Sequence, residues 1–232
     1  MGFDVEPFFS QLPGVLDMLI LRHRYVEEWV RVFYATLYIE HDRERIQFMF
    51  QGWIYRFTRA KVAELLELQL HDTRLHSVVY GQLGPPRRAQ QGGTTPSLED
   101  VTPVFAPRFT ARVTSQLRPL AAVLYRIIGH TLLPRAGARE SVTSLQQRVL
   151  ATLVCREQFC VVDFMIAEME DAITMGFKAN TTVLPYASYI SYMLSRIGAV
   201  DNIPGPYYDI YRAAPSFPNC RAQVPPDPCI PA

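Results

Sequence analysis

From Leu120 to Gly198 the chain carries apolar residues at helical spacing, and this pattern restricts it to a helix-rich interior. Leu120, Val123, Leu124, Ile127 and Ile128 repeat at three- and four-residue steps, which would gather them on one helix face. Pro119 suits the first turn of that helix, and Pro134 is expected to stop it. Ser141, or Thr143 with Gln146 as a capping box, can start a second helix carrying Val142, Leu145, Val149 and Leu153. Val162, Met165, Ile166, Met169 and Ile173 form a third stripe, with Asp163 near its start and Gly176 near its stop. Tyr186, Tyr189, Ile190, Met193, Leu194 and Ile197 form a fourth, closed by Gly198.

The N-terminal half is mixed. Val26, Trp29, Val30, Phe33 and Leu37 define an amphipathic helix. Two aromatic-rich runs, Arg45 to Phe50 and Trp53 to Phe57, then flank Gln51-Gly52 and read as a β-hairpin. Gln gains little from a left-handed backbone, so this turn pair is poorer than Asn-Gly. Thr58 can cap a helix from Arg59 to Leu68 with Val62, Leu65 and Leu66 inward. Between residues 81 and 107 nine of 27 residues are Gly or Pro, so the periodicity collapses into a loop. In the last 30 residues eight are Pro, which reads as an extended tail or linker. The expected organisation is an N-terminal segment (1–22), an α-rich domain (23–200) interrupted by the 81–107 loop, and a Pro-rich tail (201–232). The expected fold class is mainly α, a helical bundle-like body with one small N-terminal β-hairpin.

Composition narrows the function classes. Twenty-three Lys and Arg against 22 Asp and Glu give a formal charge of +1, which argues against a chain built chiefly to neutralise a phosphate backbone. The longest apolar run near the start, Met18 to Leu21, is far short of the roughly 20 residues a membrane-spanning helix needs. With acidic residues ahead of it and no secretory pattern, the expectation is an intracellular protein, nuclear or cytoplasmic, without membrane contact. Four cysteines in neither C-x2-C arrangement imply free thiols and no zinc site. Cys155 and Cys160 have no local base that would activate a nucleophile. His23, His41, His71, His76 and His130 are scattered, and His71 with His76 lacks the i, i+4 spacing of a helical metal pair. No G-x-S-x-G elbow is present, and Gln90 to Thr95 lacks the lysine of a phosphate-binding loop.

One ordered set of short motifs runs through most of the chain. Val32-Phe33-Tyr34-Ala35 is followed by Phe50-Gln51-Gly52-Trp53-Ile54 and Phe57-Thr58, then by Leu132-Leu133-Pro134-Arg135 and Ser141-Val142-Thr143. Val162-Asp163-Phe164-Met165 and Leu184-Pro185-Tyr186 complete it, ahead of Gly198. In that order, over Tyr25 to Val200, the chain resembles the plant transposon protein domain found in open reading frames of plant retroelements, many of them gypsy-type retrotransposons. The resemblance implies a retroelement origin and carries over no catalytic residue, because that family is defined by sequence and not by a settled activity.

Strand transfer by the common route needs three carboxylates converging on two metal ions. Asp163, Glu170 and Asp171 share one expected helix, and Asp163 with Glu170 would share a face, but this pattern reads as a solvated surface. No catalytic residue, metal ligand or cofactor is therefore assigned. Arg87, Arg88, Arg108, Arg112 and Arg118 could form a basic strip for weak, salt-sensitive nucleic-acid contact. Tyr186 and Tyr189 lie on the core stripe, which leaves Tyr192 to face outward. The expected function is a non-enzymatic, retroelement-derived protein, coat-like in assembly or an interaction module, with a protein partner or self-association. The alternatives are a metal-dependent transposase or nuclease, whose carboxylates would come from Asp100, Asp163, Glu168, Glu170 and Asp201, and a relic open reading frame without activity.

Overall fold

A computed structural model describes residues 4–20, 24–41, 43–70, 101–133, 140–176 and 184–200, together with the strand Tyr207–Tyr208. In chain order the described elements are α1 (Glu6–Phe9), α2 (Val15–Ile20), β1 (Tyr25–Val26), α3 (Glu27–Thr36), β2 (Tyr38–Ile39), β3 (Arg45–Phe50), β4 (Trp53–Thr58) and α4 (Arg59–Leu66). After these come α5 (Pro119–His130), α6 (Ser144–Val154), α7 (Val161–Gly176), α8 (Ala187–Arg196) and β5 (Tyr207–Tyr208). The protein is mainly α, with a small antiparallel sheet ordered β2-β3-β4.

Local chemistry sets the boundaries. Pro119 opens α5, where its missing N–H costs nothing. The capping box expected at α6 is present: Thr143 accepts from the Gln146 N–H while the Gln146 side chain accepts from the Thr143 N–H at 3.0 Å. Thr58 caps α4 by accepting from the Lys61 N–H. α8 ends at Arg196, and Gly198 takes the left-handed conformation (φ 68°) two residues later. Helix α5 is shorter than the spacing suggests, closing at His130; Pro134, the expected stop, lies outside the described residues.

The buried face of α5 is also rotated from the expected one. Ala121, Leu124, Tyr125 and Ile128 are buried, whereas Leu120, Val123 and Ile127 are only half-buried. Leu124 and Ile128 belong to both faces, so the shift is confined to their neighbours. Val142 just before α6, and Leu145, Val149 and Leu153 on it, are buried as expected, and on α7 so are Val162, Met165, Ile166 and Met169. One apolar cluster runs from Phe9 to Val200 and includes residues of each of the helices α1 to α8. Within residues 4–20, part of the N-terminal segment set apart in the sequence reading, Phe9, Leu12, Val15 and Met18 are all buried in it. Val101, Val104 and Phe105, at the end of the stretch read as loop, are buried as well.

The sheet is one strand larger than the expected pair. β3 and β4 are antiparallel partners over six positions, from Arg45↔Thr58 to Phe50↔Trp53. β2 adds Tyr38↔Gln47 and Ile39↔Ile46 on the other side of β3. Both turn residues, Gln51 (φ 50°) and Gly52 (φ 81°), are left-handed, as a type I′ turn requires. Ile46, Phe48, Phe50 and Phe57 face the core, and Phe48 lies 4.7 Å from the Phe33 ring of α3. A second, two-stranded pairing joins β1 to β5, with Tyr25↔Tyr208 and Val26↔Tyr207. Part of the tail read as an extended linker is therefore paired to the body.

Three buried tyrosines show how polar groups are accommodated. The Tyr34 hydroxyl donates to the Pro185 carbonyl at 2.9 Å, and the Tyr186 hydroxyl to the Leu132 carbonyl at 2.8 Å. These bonds pin the segment before α8, where Tyr186 is left-handed (φ 60°), to α3 and to the end of α5. The Tyr189 hydroxyl has no hydrogen-bond partner among the described residues, although burial pushes its pKa up and keeps it protonated. Removing a satisfied buried hydroxyl leaves its carbonyl unpaired, whereas removing an unsatisfied one relieves a desolvation cost. Tyr34→Phe and Tyr186→Phe are each expected to lose about 1 kcal/mol in urea unfolding, and Tyr189→Phe to be neutral or to gain up to about 1 kcal/mol.

Candidate functional site

The densest polar cluster lies where the base of the sheet meets α7. Arg59, the first residue of α4, follows directly on β4, and its guanidinium is buried. Its Nε donates to Asp163 Oδ1 and its Nη2 to Asp163 Oδ2 at 2.9 Å, a two-pronged pairing with a carboxylate in the first turn of α7. Nη1 donates to Glu44 Oε1 at 3.0 Å. Cys160 Sγ lies 3.9 Å from Nη2. Burial pulls the Arg59 pKa down, but the charge and hydrogen bonds of Asp163, helped by Cys160 and Glu44, outweigh that and hold it above its ordinary value.

A second arginine completes the seam. Arg43, left-handed (φ 60°) in the turn between β2 and β3, donates from Nε to Glu170 Oε2 at 2.7 Å. Its own N–H donates to the Glu40 carbonyl at 2.8 Å, which closes the turn and aims the side chain toward α7. Asp163 and Glu170 do share a helix face, as their seven-residue separation dictates. That face is not the solvated surface expected of it. Only 13% of the Asp163 side chain is exposed, and both carboxylates are committed to arginines from the sheet region.

The thiols give no reactive centre. Burial, and then the neighbouring Glu157, push the pKa of Cys155 up, which lowers its thiolate fraction. Burial does the same to Cys160; a hydrogen bond with the Asp163 backbone and the nearby Arg59 only partly offset it, and the charge of Asp163 adds to it. Among the described residues no three His, Cys, Asp or Glu side chains come together to hold a metal ion. Asp100, Asp201, Cys220, Cys229, His23, His71 and His76 lie outside the described residues. No helix among the described residues is long and apolar enough to cross a membrane.

Of the expected basic strip, Arg87 and Arg88 lie outside the described residues. Arg118 donates from Nε to the Phe105 carbonyl at 2.8 Å, and Arg112 from Nη1 to Gln147 Oε1 at 2.7 Å. The Arg118 bond closes the 101–118 segment on itself, and the Arg112 bond ties that segment to α6. Arg108 is exposed and left-handed (φ 62°). Tyr186 and Tyr189 are buried as read, and Tyr192 is half-buried beneath the Arg196 guanidinium, 5.6 Å from its ring centre.

What the sequence reading missed is an apolar surface on the sheet. Met49 (48% exposed) and Ile54 (59%) are paired neighbours on the face of the sheet turned away from the core, while Trp53 (72%), paired with buried Phe50, is exposed on the opposite face at the tip of the turn. Tyr38 is exposed on the adjoining strand. The signal was the aromatic-rich pair of strands itself, since only one face of such a sheet can be covered by α3.

The fold and these contacts define a mainly α protein in which arginines tie a small sheet to a helical core. Compared with protein families, characterised proteins and solved structures, the chain matches none.

Proposed function

We propose that the chain is a non-enzymatic protein of retroelement origin that works by association: a coat-like assembly or protein-interaction module with weak nucleic-acid contact. The observation that carries this reading is the exposed pair of Met49 and Ile54 on the outer face of the sheet, with exposed Tyr38 on the adjoining strand, a grouping of large apolar side chains of the kind that marks contact surfaces. The acidic residues support it from the other side. A two-metal centre needs carboxylates that can turn onto ions, and Asp163 and Glu170 neutralise Arg59 and Arg43 instead. The near-balanced charge fits a module in which nucleic acid is secondary.

Sedimentation at micromolar concentration, with and without single-stranded RNA, tests the proposal. The expected result is self-association without RNA, and RNA binding that weakens steeply between about 50 and 200 mM salt. Arg108→Ala is expected to weaken RNA binding and to reduce the salt slope by about 1 if that exposed arginine meets a phosphate. A strict monomer indifferent to RNA contradicts the proposal.

A further inference from the structure

The backbone of β4 shows where such association would begin. The Arg59 N–H donates to the Glu44 carbonyl at 3.1 Å, one step beyond the Arg45↔Thr58 pair. Hydrogen-bonded and non-hydrogen-bonded pairs alternate along an antiparallel ladder. Ile46↔Phe57, Phe48↔Tyr55 and Phe50↔Trp53 are therefore the pairs that exchange backbone hydrogen bonds. It follows that Ile54 and Arg56 turn their N–H and C=O groups away from β3.

The opposite side of β3 is fully used. The Glu40 N–H donates to the Arg45 carbonyl at 3.0 Å, and β2 continues the ladder. Where β2 gives out, the Thr36 hydroxyl accepts from the Met49 N–H at 3.0 Å and lies 2.9 Å from the Met49 carbonyl. β4 has no such cover: among the described residues no strand pairs its outer edge. It also lacks the usual guards of an edge strand, since it holds no proline and its register with β3 is unbroken by a bulge. Its single charge is Arg56.

We propose that a second copy of this chain docks here, β4 against β4, in an antiparallel pair about a twofold axis at Tyr55 that joins the two sheets into one. The inference rests on the association reading above and names its surface. In this register Ile54 of each copy faces Arg56 of the other, and each such pair exchanges two backbone hydrogen bonds. Trp53 falls opposite Phe57, so the most exposed aromatic side chain among the described residues gains an apolar neighbour. Charge selects this register over the next. Centring the axis on Arg56 sets the two guanidinium groups against each other, and centring it on Ile54 runs the ladder into the Gln51-Gly52 turn. With the axis at Tyr55, Arg56 stays bonded to Gln47 Oε1 at 2.8 Å beside an uncharged neighbour. A twofold contact of this kind is self-complementary and closes as a dimer.

The test is sedimentation velocity of the full chain from about 1 to 100 µM, wild type against Ile54→Pro. Proline at position 54 removes an outward-facing N–H and leaves the β3 ladder intact, so the monomer keeps its fold and its circular dichroism. The expected result is a wild-type dimer whose dissociation constant rises at least about tenfold in Ile54→Pro. A second readout does not depend on proline. The chain has two tryptophans, so Trp29→Phe leaves Trp53 as the only emitter, and its emission is expected to shift to the blue as concentration rises. A dimer unchanged by Ile54→Pro, with Trp53 emission independent of concentration, overturns the β4 contact and leaves association standing. A wild-type monomer throughout the range overturns both. A monomer whose Trp53 emission responds only to RNA assigns this surface to nucleic acid and overturns the proposal.

Discussion

Asp163→Ala is expected to destabilise the protein by about 3 to 4 kcal/mol, read as a lower urea midpoint at unchanged slope. The reason lies in what is left behind. Arg59 is 7% exposed at its side chain and spends its Nε and one Nη on Asp163, and its other recorded carboxylate, Glu44, is itself 53% exposed. Deleting Asp163 strands a buried guanidinium with one weakly held counter-ion, and an uncompensated buried charge costs far more than a surface pair is worth. Asp163→Asn keeps the shape and one acceptor, and is expected to cost about half as much. Glu170→Ala is the contrasting case. The Glu170 side chain is 35% exposed and that of Arg43 23%, so water takes over much of the lost interaction, and the loss is expected to stay below about 1 kcal/mol.

Gly14→Ala is expected to cost at least about 3 kcal/mol, for a reason that involves no charge. Gly14 sits between α1 and α2 with φ 81°, and its backbone passes directly over the C-terminal end of α4. A Cβ there would lie 2.2 Å from the Glu67 carbonyl oxygen and 3.3 Å from Leu68 Cα. Both contacts are with backbone, so no side-chain rotation relieves them. Glu67 is itself left-handed (φ 58°) and ends α4, and the Leu68 N–H donates back to Ala63 at 2.9 Å. The carbonyl is fixed from both sides, and the α1–α2 segment must lift, taking Leu12 and Val15 out of the core. Gly52→Ala is the internal control. Gly52 has the same φ of 81° but open space around its Cα, so only the conformational term applies, about 1 kcal/mol. The difference between the two variants isolates the steric contact of the N-terminal segment with α4.

Those two sites also show what a one-dimensional reading can reach. Helix α6 was legible because its cap, Thr143 with Gln146, and its stripe from Val142 to Leu153 are local patterns within a few residues. The antiparallel pairing of β3 with β4 around Gln51-Gly52 was legible for the same reason. On α5 Leu124 and Ile128 are buried as read, but Ala121 and Tyr125 are buried in place of Leu120, Val123 and Ile127. Strand β2 was not legible, since two residues carry no periodicity and its place is fixed by the neighbouring β3.

The carboxylates mark the sharper limit. Asp163 and Glu170 at a seven-residue interval look like any exposed acidic face, and their meaning depends on Arg59 and Arg43, which are 104 and 127 residues away in sequence. Nothing in local spacing announces such a partner. The exposed tip of the sheet was similarly hidden. Met49 and Ile54 have the composition of core residues, and only the placement of α3 on the other face of the sheet, against Phe48 and Phe50, leaves them uncovered.

Central to this account is that the acidic face of α7 holds the sheet to the helical core and is not kept free for chemistry. A double-mutant cycle in urea with Arg59→Met, Asp163→Leu and the pair together measures this most directly. The account predicts a coupling of at least about 2 kcal/mol, with the double variant more stable than either single one. Single effects that are small and add to within about 0.5 kcal/mol would contradict it.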